Sequence, residues 1–373
     1  MIQLKAYKLN FKLEEPLSIS FHTFYYTESV IINLIHDGKI GIGEAAPFKP
    51  ITGDSQEEVI EQAKLLTEIP LDPTKDSLQT LHDFMDKKGI VSETLRAGVD
   101  FAYHDLIAKI QGIPVYKLYA TTPRPVDNSI TIMIQPTAEE TAQHAAKIFA
   151  KYPDLKILKL KLQGDQSDIE RVTAVKKIAP KNMTFLLDAN QGFKNPEEDI
   201  KTVNKLVEIL ENVVLIEQPT PKDDLEKLKY MKEHVKNTLI FADESATTLE
   251  AAKAVIAAKA AHGINIKLQK AGGIWPAKQI AKLCEENDLK IMEGCMLEGP
   301  IGIGAGIHFA VSTHLILSDL DADLYTKPYT NTVLPFIKGQ RTILEIPGIG
   351  VTLDAEKIKK LQETGELIYE KVI

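Results

Sequence analysis

Thr184-Phe185-Leu186-Leu187-Asp188, then a helix signal at Asn195-Pro196, then Val213-Val214-Leu215-Ile216-Glu217: this stretch decides the fold. Two short apolar β-type runs flank one helix. Asn195 serves as its N-cap, and Pro196 takes the first helical position, where a missing N–H costs nothing. This is one βα unit, and each of its runs ends in a carboxylate. The same unit recurs on both sides. Runs at 129–134, 156–162, 239–243, 263–268, 290–293 and 314–318 alternate with helix signals, among them the capping boxes Thr137-x-x-Glu140 and Ser167-x-x-Glu170. Eight such runs with helices between them predict a parallel α/β barrel.

The flanks differ. Residues 1–122 read as an α+β unit. Runs at 30–35 and 39–45 are joined by the hairpin signal His36-Asp37-Gly38. Helices follow near Ser55, near Lys75 and after Ser92. The last has an apolar period through Leu95, Val99, Ala102, Leu106 and Ile110 and stops at Gly112 and Pro114. The final stretch, 328–373, holds no further βα unit and is expected to pack back on the N-terminal unit.

Composition narrows the function. Of 373 residues, 44% are hydrophobic and 26% charged, ordinary for a globular protein. Lys and Arg number 44 against 52 Asp and Glu, a net charge of −8, which argues against a broad phosphate-binding surface and hence against nucleic acid. Cys284 and Cys295 form no CxxC motif, so a reducing compartment is favoured. The N-terminus lacks an apolar signal block, and the uncharged stretch 301–318 carries His308, His314 and several glycines, so neither export nor a membrane partner is expected. A cytoplasmic protein, assembling as a homo-oligomer, is the reading. Gly302-x-Gly304-x-Gly306 lacks the dinucleotide fingerprint and reads as a close-packed helix start.

Barrel enzymes place catalysis at the C-terminal ends of their strands. In the run 156–162, Lys159 and Lys161 are two apart and share a face. Two lysines pointing into a barrel repel, which predicts a lowered pKa for one and a neutral amine able to act as base. Asp188, Glu217 and Asp243 then end three successive strands. They would repel one another unless a cation sat between them, and oxygen ligands with room for water suit Mg²⁺. The next strand carries Asn265-Ile266-Lys267-Leu268. In a closed barrel it lies across from the run 156–162, so Lys161 and Lys267 would flank a substrate held between them.

KLK (159–161), LDANQG (187–192), IEQP (216–219), ADES (242–245) and NIKLQKAGG (265–273) together resemble the enolase superfamily, in its muconate-lactonising, two-lysine subgroup. The resemblance implies a (β/α)₇β modified TIM barrel over 123–327. It also implies an α+β capping domain formed by the N-terminal segment 1–122 and the C-terminal segment 328–373. It implies proton abstraction α to a carboxylate, one Mg²⁺ per site (Mn²⁺ also suits) on Asp188, Glu217 and Asp243, and an enediolate intermediate. Lys161 and Lys267 would act on opposite faces of the α-carbon. Lys159 would add positive charge, and Asn190 and Glu244 would support the ligands.

The last run leads into Asp319-Leu320-Asp321-Ala322-Asp323. A D-x-D here resembles the superfamily's dipeptide epimerases, whose two acids bind the substrate's α-ammonium. Asp319 and Asp321 match best, and Asp323 admits a one-step shift; the pair would stay uncompensated until the ammonium arrives. Two lid loops are implied, at 51–55, including Thr52 and Gly53, and at 19–27. Members acting on L-Ala-D/L-Glu can carry an arginine in the latter; His22 stands in its place, flanked by Phe21 and Phe24. The activity implied is epimerisation of a dipeptide, L-Ala-D/L-Glu first and a more hydrophobic dipeptide second. N-acylamino-acid racemase and o-succinylbenzoate synthase follow, whose substrates lack an ammonium. A non-catalytic small-molecule-binding barrel would not need both lysines, and a metal-dependent amidohydrolase would place histidines at the strand ends.

Overall fold

The computed structural model describes residues 1–19 and 22–373. Two long strands, Ile2–Ile19 and His22–His36, form an antiparallel ribbon. Lys39–Ala45 extends it on one side and the chain's last strand, Leu367–Lys371, on the other. The hairpin turn forms where the sequence predicts it. Asp37 and Gly38 take φ of 46° and 75°, positive at both positions as a two-residue turn between twisted strands requires. Helices Gln56–Ala63, Leu78–Lys87 and Glu93–Gln111 complete the cap, opened by Ser55, Ser77 and Ser92. Ser77 opens the second helix, rather than the neighbourhood of Lys75, because its hydroxyl accepts the Thr80 N–H. Glu93–Gln111 crosses the Lys39–Ala45 strand so closely that a Cβ on Gly43 would fall 2.0 Å from the Gly98 carbonyl oxygen.

Ile130–Ile132, Ile157–Lys161, Thr184–Asp188, Val213–Glu217, Leu239–Ala242, Gly263–Lys267, Lys290–Gly294 and Leu317–Asp319 form eight parallel strands in chain order. Helices link successive strands, the eighth leads into a short 3-10 turn at Ala322–Tyr325, and the ring closes through a parallel bridge between Asn128 and Ser318. Strand parity explains the chemistry of the mouth. Ile157, Leu186, Leu215, Phe241, Met292 and Leu317 form one buried cluster on the barrel's inner face. Two residues further along the same strands, and so on the same face, stand Lys159, Asp188, Glu217, Asp243, Gly294 and Asp319. The apolar floor fixes the inward parity, and the ionisable strand ends inherit it.

Two local readings change. Helix Ser167–Ile178 takes Gln166 as its N-cap and has no capping box at Ser167. Buried Asp168 instead accepts the N–H groups of Gln163 and Gly164, each at 2.9 Å, and satisfies the preceding loop. The C-terminal segment divides rather than returning whole to the cap. Its strands Phe336–Ile337 and Gln340–Arg341 make a hairpin paired with Val126–Asp127, beside the barrel's closing seam, and only then does Leu367–Lys371 join the cap sheet. The glycine run does pack closely: Cβ atoms on Gly302, Gly304 and Gly306 would meet Glu298, Ile349 and Glu293.

The cap docks on the barrel beside the mouth. The Gln269 amide, two residues past Lys267, accepts from Ala46 N–H at 3.0 Å and donates to the Glu44 carbonyl at 2.9 Å. The Glu44 carboxylate takes the Gly299 and Gly302 N–H groups at 2.8 and 3.0 Å. Among the described residues, no helix is long and apolar enough to cross a membrane.

Candidate active site

Lys159 sits at the centre of the mouth, 1% exposed. Its Nζ lies 2.6 Å from Asp319, 2.7 Å from Glu217 and 3.0 Å from Asp188. Burial works against its charge, but Asp188, Asp319 and Glu217 outweigh burial and hold the ammonium well above the usual lysine range. The expectation of a neutral amine from lysine–lysine repulsion therefore fails at Lys159: three carboxylates in contact count for more than one lysine nearby. Lys161 Nζ donates to Asp188 at 2.6 Å and to Asn190 Oδ1 at 2.9 Å. Lys267 Nζ lies 2.9 Å from Asp243 and 3.5 Å from Glu217. It passes over Gly294, where a Cβ would come within 2.9 Å of its Cε. Burial opposes its charge too, and Asp243 and Glu217 again raise its pKa well above the ordinary value. Lys161 is on the second strand and Lys267 on the sixth of eight, so they project from opposite walls.

The three acids at the strand ends are buried and converge on these ammonium groups. Among the described residues, no three His, Cys, Asp or Glu side chains come together as a ready-made metal cage; lysines stand between the acids. Burial and Glu217 push the Asp188 pKa up, but Lys159, Lys161 and Lys267 bring it below the usual carboxylate value. Asn190 donates to Glu244 Oε1 at 3.2 Å, while Glu244 Oε2 is buried without a hydrogen bond among the described residues. Burial and the Asp243 charge push Glu244 up to about 7.

The D-x-D separates into unlike groups. Asp319 is not left uncompensated as expected, because Lys159 takes its Oδ2 and Ser129 Oγ donates to its Oδ1 at 2.6 Å. Asp321 Oδ2 accepts the Thr131 N–H at 2.7 Å and the Tyr325 hydroxyl at 3.0 Å. Its Oδ1 meets only the weak donor Cys295 Sγ, at 3.8 Å, among the described residues. Burial and Asp319 push Asp321 up to about 6. Asp323 is corrected as a substrate candidate: it is bound by the Arg341 guanidinium and does not line the cavity.

The cavity above these groups holds about 650 Å³. Lys159, Lys161, Lys267, Asp319 and Asp321 form its floor, and the cap forms its roof. His22 is on that roof, with ring centroids 4.6 Å from Phe24 and 4.9 Å from Phe48. Phe24, Tyr26, Phe48 and Ile51 also line it, with Met133, Met296 and Leu297 from the barrel. In the expected first lid, Ser20 and Phe21 lie outside the described residues. The second lid is corrected: Lys49–Thr52 is one helical turn, and Gly53 ends it at φ 86°. Thr52 donates to Asp54 at 2.6 Å and accepts from Phe48 N–H, so Thr52 and Gly53 shape the loop while Ile51 reaches the cavity. Sequence reasoning passed over Lys270, which is buried and ion-paired to Asp243, although it lies in the quoted NIKLQKAGG. It also passed over Tyr325, whose signal was its position one turn beyond Asp321.

This fold and mouth define an enolase-type acid–base barrel. Residues 1–119 match the N-terminal domain of mandelate racemase / muconate lactonizing enzyme, and residues 138–358 match the enolase C-terminal domain-like family. The chain belongs to this family within the enolase superfamily, and among its members it is an isomerase of the racemase and epimerase kind. The L-Ala-D/L-Glu epimerase of Bacillus subtilis is 33% identical over 88% of this chain and 89% of its own. The structure of the dipeptide epimerase from Enterococcus faecalis V583, complexed with Mg and L-Leu-L-Tyr, superposes with a TM-score of 0.86 at 30% identity, covering 94% of this chain and 99% of that one. The N-succinyl Arg/Lys racemase structure from Bacillus cereus gives 0.88 at 26% identity, covering 96% and 98%.

Proposed function

We propose that this chain is a Mg²⁺-dependent dipeptide epimerase that inverts the α-carbon of a C-terminal residue with an apolar side chain. The observation that carries the reading is the placement of Lys161 and Lys267 on opposite walls of one cavity, with Asp321 to one side. The donor set suits the metal. Asp188, Glu217 and Asp243 are buried oxygen donors that already gather cationic groups, and hard divalent cations favour such sites. Bound there, Mg²⁺ would supply positive charge to the substrate carboxylate.

The chain's own residues do the rest. Lys161 and Lys267 face the α-carbon from either side; the one present as amine takes its proton and the other, as ammonium, returns one to the opposite face. Lys159 stays cationic between Asp188, Glu217 and Asp319 and adds to the field that favours the carbanionic species. Asn190 and Glu244 orient Lys161. Asp321 Oδ1 receives the substrate ammonium. An N-acyl substrate would leave that buried carboxylate without a cation, which disfavours the N-acylamino-acid racemase and o-succinylbenzoate synthase readings.

The side-chain preference comes from the roof. A glutamate side chain calls for a cation there. Lys49 is held by Glu58 at 2.7 Å, and His22 packs among Phe24 and Phe48, so an apolar or aromatic side chain is favoured over the glutamate of L-Ala-D/L-Glu. The test is incubation with Mg²⁺ and a dipeptide panel in D₂O. Leu-Tyr-type dipeptides are expected to invert and take up one deuterium at the C-terminal α-carbon. A panel in which no dipeptide exchanges that proton overturns the reading; faster turnover of Ala-Glu overturns the apolar preference alone.

A further inference from the structure

Arg341 heads the fully buried side chains by size, at 0% exposure, and nothing in the chemistry above uses it. Its donors are placed. Nε donates to the Leu320 carbonyl at 2.8 Å, Nη1 and Nη2 both reach the Asp323 carboxylate, and Nη1 lies 3.5 Å from the Leu334 carbonyl. The Phe336 ring lies 5.4 Å from the guanidinium. Leu320 is the residue between Asp319 and Asp321. Asn128 grips the same residue: its Oδ1 accepts the Leu320 N–H at 2.8 Å, and its Nδ2 lies 3.4 Å from the Leu320 carbonyl. These bonds meet at the seam where the first and last barrel strands close through Asn128 and Ser318. A hairpin could be packed there with apolar side chains at no desolvation cost. A buried guanidinium persists only when fully bonded, and here part of that bonding is spent on one backbone carbonyl.

We propose that Arg341, with Asp323 and Asn128, is a positioning residue for the acids that receive the substrate ammonium. By fixing Leu320, it aims Asp319 at Lys159 and leaves Asp321 Oδ1 facing the cavity, and so sets the preference for a substrate with a free α-amine. The inference rests on the dipeptide reading above. A rotation of the Leu320 peptide would swing both neighbouring side chains, because the three residues are consecutive where the chain leaves the eighth strand at Asp319. The C-terminal hairpin therefore helps build the substrate site without touching substrate.

The experiment compares binding of L-Leu-L-Tyr with that of 4-methylpentanoyl-L-tyrosine, the same molecule without the amine, by calorimetry in the presence of Mg²⁺. The wild type is expected to favour the amine by at least about tenfold, the worth of one charged hydrogen bond. Arg341→Met should lose most of that ratio, raising KM for the dipeptide while kcat changes less. Arg341→Lys and Asp323→Asn should fall between, since a lysine cannot hold Leu320 and Asp323 in one fork. Near-UV circular dichroism reports whether each variant is folded, and Asp323→Asn gives the reading if Arg341→Met does not fold. A purely structural role predicts an unchanged ratio in every folded variant, and that result overturns the proposal. A wild type with no preference for the amine overturns the dipeptide reading itself, and the positioning role with it.

Discussion

The mouth of the barrel and the roof above it solve different problems. The mouth is a ring of charges on strand ends: Lys159, Lys161, Asp188, Glu217, Asp243, Lys267 and Asp319. Each but Lys161 and Lys267 stands two positions after an apolar floor residue of its own strand, so the pleat of that strand fixes it. The roof is a patch of rings, His22, Phe24 and Phe48, carried on the cap sheet and one helical turn. Charges held on rigid strands set what reaction can occur. In the proposed reading, aromatic groups on the cap set which side chain fits, and they can change without disturbing the chemistry beneath.

Mutations should separate the two regions. The largest effect belongs to the mouth. Asp243→Asn removes one buried acid and strands Lys267 and Lys270 beside it. Mg²⁺ affinity should fall by roughly 10–100-fold in calorimetry, and turnover should fall for every dipeptide alike. A variant that keeps metal binding and loses only one substrate would erase the distinction. The roof should give a smaller, selective effect. His22→Arg introduces a fork that can bind a carboxylate, and the ratio of kcat/KM for Ala-Glu over Leu-Tyr should rise by about tenfold. Equal changes for both substrates would show that the roof does not read the side chain.

The smallest effect lies behind the barrel, outside both regions. Glu293 is fully buried, and among the described residues neither of its carboxyl oxygens has a hydrogen-bond partner. Burial, then Glu298, raises its pKa well above the usual value, with only Lys278 opposing. A pKa raised on folding means the folded state keeps a proton the unfolded chain releases. Stability is then fully present below the unfolded value of about 4.5 and declines as pH rises toward the folded one. Glu293→Gln should remove that decline. Its melting temperature should exceed the wild type's by a few degrees at pH 8, on the order of 1 kcal/mol, and by less at pH 5. A gap that does not widen with pH would show that Glu293 is paired after all.

The same contrast explains what could be read from the chain. Asp188, Glu217 and Asp243 were legible because each closes an apolar run and the runs recur once per βα unit, so local pattern and long-range position coincide. The cap hairpin was legible through Asp37 and Gly38, whose turn chemistry is local. Lys159's protonation was not: a lysine-next-but-one pattern shows its like-charged neighbour but not the carboxylates of Asp188, Glu217 and Asp319, which the fold brings to it from 29 to 160 residues away. The Asp323–Arg341 pair was hidden for the same reason, and so Asp323 looked free. Thr52 and Gly53 carried a loop signal, but which residue of that turn reaches the cavity depends on the helical turn that Gly53 ends, and it is Ile51.

The central claim is that Lys161 and Lys267 act from opposite walls, and single-turnover exchange tests it most directly. Lys161→Ala and Lys267→Ala, each loaded with Mg²⁺, are given the L,L and L,D forms of one dipeptide in D₂O, and deuterium at the C-terminal α-carbon is followed by NMR. Each variant should lose inversion, by about 10³-fold or more. Each should retain exchange with one stereoisomer only, and the two variants should retain opposite ones. Inversion at the wild-type rate in either variant, or exchange of the same stereoisomer by both, would contradict the account.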